Sequence, residues 1–539
     1  MGAGRGSRAA CLRHVAPGGV RRGDQHGGRG QPAAAAQRAA RLGRRDRREL
    51  RDGLLPVIAG LLGSLAFARP EAPRPTPGHV VAWRDAVDWG AARDEVVTTL
   101  SEYLAIDTVN PPGHEARGVA WLGAVLDREG IAWSELELSP GRSSLIARIE
   151  ATGGEPGAGD GLCLVHHIDV VPSETERWSD PLQRGPLSGA VVDGHVWGRG
   201  ALDMKGMGAL ELMTLIWLAR LEVPLQRDVV LVALADEEVD NLGARQLAER
   251  WGEIGCSHVI NEGGLGIRDA LFDGQSVHAI STAEKGILWV RMHAEGRAGH
   301  GSVPHPDEAP SRLLEAMAAV QRHRPRYRLD DDIAQLLRNV GAHRGGLTGR
   351  ILQTRWLVRT LAWSRLKAEP TMRAALHDTI HLTGVSAQIS GSPNVVPSQA
   401  SATYDCRLLP GTEPDRQLAR LKILTRGIEG IHFEVLSQDP SNGSSIDDPL
   451  YEAIAHYAVE DRPWAVAGPF LSVGFTDSLL LRPVGAIAYG YVPFELSAEV
   501  AGTMHGHDER VPIEQVGEGL RRLLSITLDV AADPASSPR

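Results

Sequence analysis

The sequence predicts an α/β sheet domain interrupted by a smaller two-layer α+β domain. Three observations lead there. Short apolar runs alternate with helical stretches up to residue 285, one-sided strand alternation replaces them over 286–438, and the first pattern returns over 439–530. On this reading 78–285 and 439–530 form the larger domain in two parts, 286–438 is the insertion, and 531–539 is a tail.

Residues 1–77 stand apart as a basic low-complexity leader, a signal-like segment and a linker. Residues 1–52 hold 13 Arg, no Lys and four acids, a net of +9, so residues 69–539 carry −19 within a total of −10. The uncharged stretch 54–68 follows a basic run and ends in Ala-Phe-Ala. That is the order of a secretory signal, and it is short for a membrane span, which wants about twenty residues. Export, or anchoring to a membrane by 54–68, is expected, and a cytoplasmic location is the alternative if that stretch is not a signal. Residues 70–77 are a proline-rich linker.

Apolar residues at helical spacing (Val97, Leu100, Leu104) predict a helix over 94–106, closed by Asn110-Pro-Pro-Gly, with a second helix over 119–129. Strands are predicted at 162–166, 229–235 and 258–260, with helices at 204–221 and 244–251 between them. In the insertion, strands at 287–295, 377–388, 400–409 and 432–436 accompany helices at 309–322 and 415–427. Residues 327–370 fit no simple template, and a helical excursion or a mobile loop that enlarges the insertion is expected there.

An acidic body argues against nucleic acid as a partner, because phosphate binding rests on clustered Lys and Arg; the basic leader lacks the interleaved aromatics that such binding would use. The four cysteines (Cys11, Cys163, Cys256, Cys406) form no Cys-x-x-Cys pair and no disulfide framework. Cys163 and Cys406, inside predicted strands, are expected to be small buried hydrophobes. None lies near a candidate base, which removes cysteine-nucleophile chemistry.

Five segments carry ionisable side chains at positions that suit a site. In Leu164-Val-His-His-Ile-Asp169 a strand delivers His167 and Asp169 to its C-terminal end, where α/β sheets place their sites. Two residues apart, they project on one side, so the Asp169 carboxylate is expected to accept the imidazole's other N–H and fix its tautomer. Asp203 sits among glycines at a loop-to-helix junction, a place for either a helix cap or a carboxylate bridging two cations. Asp236-Glu237-Glu238 follows a strand, and adjacent carboxylates repel unless cations neutralise them. Glu262 ends a further strand, and Met504-His-Gly-His507 offers His505 or His507. Each alone reads as an ordinary polar loop. Together they supply imidazole and carboxylate with almost no thiol, a donor set for zinc, cobalt or manganese.

The order of these motifs over about 95–530 resembles the zinc exopeptidase and deacylase family of aminoacylase-1, carboxypeptidase S, carboxypeptidase G and succinyl-diaminopimelate desuccinylase. The resemblance implies a zinc-exopeptidase catalytic domain, a mixed sheet flanked by helices, with an inserted lid that forms a homodimer. It implies two Zn2+ per chain (Co2+ or Mn2+ as alternatives): His167 and Glu262 on one, Glu238 and His505 on the other, Asp203 bridging, with a cis peptide after it. Glu237 becomes the general base, Asp169 orients His167, and His300 in Gly299-His-Gly-Ser-Val-Pro304 reaches the partner subunit's site. Asn394 and Arg407 become substrate-binding residues. The family's Thr-Asp-x-Arg segment departs here, since Leu479 stands where Arg is expected and Arg482 is the nearby substitute; His166 stands where a small residue is usual. The implied activity is hydrolysis of short peptides or N-acyl amino acids. A specific deacylase of a biosynthetic intermediate and a non-catalytic binding protein on the same fold are the rivals.

Overall fold

The computed structural model describes residues 74–538 except 153–159, 180, 183 and 388–391. The basic leader, the signal-like stretch 54–68, the linker to residue 73 and Cys11 lie outside the described residues.

Alternation in the sequence becomes a main sheet with a helix layer on each face. Its strands lie in the order Trp133–Ser139, Arg142–Ile149, Val229–Leu234, Gly161–His167, Cys256–Asn261, Ile487–Gly490 and Ser276–Glu284, with Ala465–Ser472 paired to the last. Val229–Leu234, Gly161–His167, Cys256–Asn261 and Ile487–Gly490 run parallel. The first two are buried along their whole length, which is why they read as continuous apolar runs. Successive residues still face opposite cores. Leu162 and Leu164 pack under the helices Trp89–Leu104, Lys205–Arg220 and Ile513–Ala531, whereas Cys163 and Val165 pack with Ala244, Leu247 and Trp251 on the other face. Asp88 caps the helix Trp89–Leu104 by accepting from the N–H groups of Gly90 and Ala91.

Within 286–438 a four-stranded antiparallel sheet, in the order Thr379–Ala387, Gln399–Leu408, Gly286–Glu295, Ile431–Asp439, carries the helices Ala309–Gln321 and Pro414–Thr425 on one face. The stretch 327–370 is largely helical from Asp331 onward, with a last short helix over Pro370–Ala375, but it does not enlarge this layer. Ile333, Leu336 and Val340 of the helix Asp331–Arg344 pack on Val277, Val466 and Leu471 of the main sheet. Gly468 permits the approach: a Cβ there would lie 2.7 Å from the Leu336 side chain and 3.1 Å from its Cα. The excursion is therefore the missing cover of strands Ser276–Glu284 and Ala465–Ser472.

The cysteines require a correction. Cys163 and Cys256 are joined in a disulfide across neighbouring strands, 93 residues apart in sequence, and Cys406 is buried and free. No local spacing announces such a bond, because the strands that align the two residues are set by the sheet order. Replacing both cysteines with alanine is expected to lower the unfolding free energy by about 2–4 kcal/mol. Urea titrations with and without reductant check this, since reductant should destabilise the native chain and leave the double variant unchanged.

Candidate metal centre

The parallel strands end on one side of the sheet, and three of them place an ionisable side chain there. His167 closes its strand, Glu237 and Glu238 follow Val229–Leu234, and Glu262 follows Cys256–Asn261. Asp203 precedes the helix Lys205–Arg220, and the Asp203–Met204 peptide is cis. His505 lies in the loop before Arg510–Pro512 with a left-handed backbone (φ 57°), a conformation uncommon outside glycine.

These side chains converge. His167 Nε2 is 3.0 Å from Asp203 Oδ1, 3.9 Å from Glu262 Oε1 and 4.0 Å from Glu237 Oε2. His505 Nε2 is 3.0 Å from Asp203 Oδ2 and 3.3 Å from Glu238 Oε1. The donor atoms of His167, Asp203 and Glu262 lie within 4.8 Å of one another, as do those of Asp203, Glu238 and His505. Two triads thus share Asp203. Gly490 leaves room for Glu262, whose carbonyl oxygen would be 1.9 Å from a Cβ at that position.

Charge in this pocket is crowded and poorly solvated. Burial pushes the Glu237 and Glu262 carboxyls well above their usual range, and the neighbouring carboxylates add to it. Burial also opposes charge on His167, but the hydrogen bond to Asp203 and the charges of Glu237 and Glu262 outweigh it and raise the imidazole. For Asp203, hydrogen bonds from both histidines overcome burial and hold it below the carboxylate range; His505, bonded to Asp203 and Glu238, rises to about 10. Four carboxylates and two imidazoles, all oxygen and nitrogen donors, fit divalent cations of the zinc class, which would relieve this excess of negative charge.

Asp169 does something other than expected. The His167 Nδ1 partner is the Asp169 backbone carbonyl, at 2.9 Å, while its carboxylate stands 3.8 Å away. That carboxylate accepts from the backbone N–H groups of Glu237 and Glu238, at 3.1 Å each, and from Asn110 Nδ2 at 2.8 Å. It therefore fixes the acidic loop, and the carbonyl fixes the tautomer. His166, one residue earlier, faces the opposite side and bonds Glu211 (2.7 Å) and Tyr103 (3.3 Å). His507 is exposed and lies outside the triads.

Two further holders escaped the sequence. Asp236 accepts from Asn110 Nδ2 (3.0 Å) and Arg142 Nη2 (2.6 Å), bracing the loop that carries Glu237. Glu509, fully buried, pairs with Arg199 at 2.5 Å and accepts from the N–H groups of Leu202 and Asp203; Arg199 also donates to the carbonyl of Gly506. This pair joins the Asp203 loop to the His505 loop. Both residues sit inside recognisable motifs, but nothing in a motif marks two distant charges as a buried pair.

The centre opens into a cleft of about 380 Å³ whose walls include Trp289, Arg407, Phe475 and Met504. Arg407 is held by Asp405 (2.8 Å) against the Trp289 ring, and its Nη1 is buried without a partner. Arg482 is not at this cleft. It is buried, with Nη1 3.0 Å from Glu284 and further bonds to the Ala488 carbonyl, which removes it as a substrate-binding residue. Leu479 is buried core. His300 and Asn394 are exposed at a two-stranded ribbon made by Gly299–His300 and Val395–Val396, joined through the Gly301 N–H to the Asn394 carbonyl, and neither lines the cleft.

Residues 163–529 match the sequence profile of peptidase family M20/M25/M40. A probable carboxypeptidase S-like 2 of Dictyostelium discoideum is 26% identical over 363 residues, which is 66% of this chain and 68% of that protein. Human aminoacylase-1 is 24% identical over 458 residues, 82% of this chain and 97% of its own. The crystal structure of human carnosine dipeptidase 1 aligns with a TM-score of 0.60 at 17% identity, over 85% of this chain and 99% of its own, a likeness of fold.

Glu509→Ala is expected to cost about 3–5 kcal/mol in urea unfolding, because it strands Arg199 as a buried unpaired charge. The double variant Arg199→Met, Glu509→Ala should recover part of that loss.

Proposed function

This chain belongs to peptidase family M20/M25/M40, and on that premise we propose that it cleaves the amide bond of short peptides or N-acyl amino acids, with two zinc ions and Glu237 as general base. It is a hydrolytic metalloenzyme related to carboxypeptidases, dipeptidases and aminoacylases. The observation that carries the finer reading is the pair of triads meeting at Asp203 with Glu237 beside them.

His167, Asp203 and Glu262 would hold one cation, and Asp203, Glu238 and His505 the other. Bound there, zinc supplies Lewis acidity that polarises the amide carbonyl and makes water acidic enough to give up a proton near neutral pH. Glu237, fixed through its N–H by Asp169, takes that proton as the water oxygen bonds to the carbonyl carbon. It returns the proton to the leaving nitrogen as the C–N bond breaks, which frees an amine and a carboxylate.

Arg407 points to recognition of a carboxylate. Its orphaned Nη1 in the cleft is a charge-assisted donor, and a substrate with a free α-carboxylate next to the scissile amide would satisfy it. That favours release of a C-terminal residue or removal of an N-acyl group. Exposure of His300 and Asn394 at one two-stranded ribbon suits a homodimer formed through 286–438, in which they complete the partner's cleft. For location, we favour export or anchoring by 54–68; the Cys163–Cys256 disulfide supports an oxidising compartment.

Glu237→Gln should lower kcat about a thousandfold while elemental analysis still finds close to the native zinc content; normal turnover in that variant would refute the base. Chelation should abolish hydrolysis of N-acyl amino acids and short peptides, and added zinc restore it. Arg407→Met should raise KM by about tenfold or more for substrates with a free carboxylate, and leave carboxamide-blocked analogues, already poor, unaffected.

A further inference from the structure

The helical excursion carries a surface that amide hydrolysis does not use. Residues 333–368 hold seven Lys and Arg and no Asp or Glu, whereas the rest of 69–539 carries a net of −26. The segment folds as the last part of Asp331–Arg344, then Gly346–Leu352, and then a continuous run of Arg355–Leu357, a π turn at Val358–Ala362 and Trp363–Leu366. Leu352, Leu357, Val358 and Leu366 hold it down on the core. The opposite side presents Leu347 (55% exposed), Trp356 (48%) and Leu361 (48%). Exposed Arg344, Arg359 and Arg365 flank them. The lengthened repeat of the π turn keeps Trp356 and Leu361 on one exposed side despite their five-residue separation.

We propose that this face docks the protein on an anionic lipid surface. Charge complementarity selects the occupant: a basic strip on a strongly acidic body orients that strip, and not the acidic remainder of the surface, toward a negatively charged plane. Outward leucines beside a tryptophan are what an interfacial helix lays into the headgroup and acyl boundary. A tryptophan alone would also stack a nucleic-acid base, but the exposed Leu347 and Leu361 beside it suit acyl chains and not bases or phosphates. The mode is lateral, because no helix among the described residues is long and apolar enough to cross a bilayer. Arg355 is partly engaged by an ion pair with Asp331, and Arg344 lies over the Phe272 ring, 4.9 Å from its centroid, so Arg359 and Arg365 provide the clearest test.

Co-sedimentation of the metal-loaded protein, begun at residue 69 so that 54–68 cannot contribute, separates the occupants. It would use vesicles of phosphatidylcholine alone and vesicles with a third phosphatidylglycerol, at 0.1 M salt. Binding to the anionic vesicles should exceed binding to the neutral ones by about tenfold or more. The pair Arg359→Glu and Arg365→Glu should remove most of that excess. Trp356→Ser with Leu361→Ser should weaken vesicle binding about tenfold while leaving hydrolysis of a small soluble substrate at the native rate. Equal sedimentation of native and variant proteins, or none with anionic vesicles, would overturn the proposal. So would vesicle-independent self-association that vanishes in the same variants, which would make a second copy the occupant.

Discussion

Electrostatic crowding at Asp203 is the constraint on which the rest of the structure depends. Bringing four carboxylates within reach of two imidazoles, away from water, is unfavourable for a bare chain. The fold meets this with rigidity. Parallel strands, buried on both faces, place His167 and Glu262 at their ends, and buried polar groups pin the loops that carry the other members of the two triads. Asp169 and Asp236 fix the Glu237–Glu238 loop, and Arg199 with Glu509 ties the Asp203 loop to that of His505. Apart from Arg199 Nε, which is buried without a partner, the holders bond one another or the backbone, so the cost of burying charge is spread over a connected network.

The same arrangement explains what could be read in the sequence. The ends of buried strands were legible because 161–165 and 229–234 are uninterrupted apolar runs, and an ionisable residue just after such a run stands out. Ligand types were legible for the same reason, and their order supplied the family resemblance. Partnerships were not. Asp169 falls two residues after His167, yet its carboxylate turns to the Glu237 and Glu238 N–H groups, and its carbonyl takes the imidazole. Arg482 looked like a spare cation near the site and proved to be the partner of buried Glu284. In both cases the deciding neighbour comes from a distant part of the chain.

Periodicity failed differently in 327–376. Ile333, Leu336, Leu337 and Val340 keep a helical spacing in Asp331–Arg344, but the helices after it are short, joined by glycines and a π turn, so the period is lost before the stretch ends. Their contacts fall on the strands Ser276–Glu284 and Ala465–Ser472, which left the sequence reading without a sheet face for them to cover. A strip fastened by four buried apolar side chains and otherwise turned outward can change its outer residues without disturbing the catalytic sheet. The basic and aromatic face has that freedom.

The disulfide is placed unevenly with respect to the two triads. Cys163 lies four residues before His167 and Cys256 six before Glu262, so one covalent tie links the two strands whose ends complete a single triad with Asp203. The other triad takes Glu238 from a loop and His505 from a left-handed turn whose imidazole side is 47% exposed. A pair of cations held in these two places would not be kinetically equivalent. A cation beside His505 would sit in the more open of the two places and would exchange with solution first, leaving its neighbour behind as a singly loaded species.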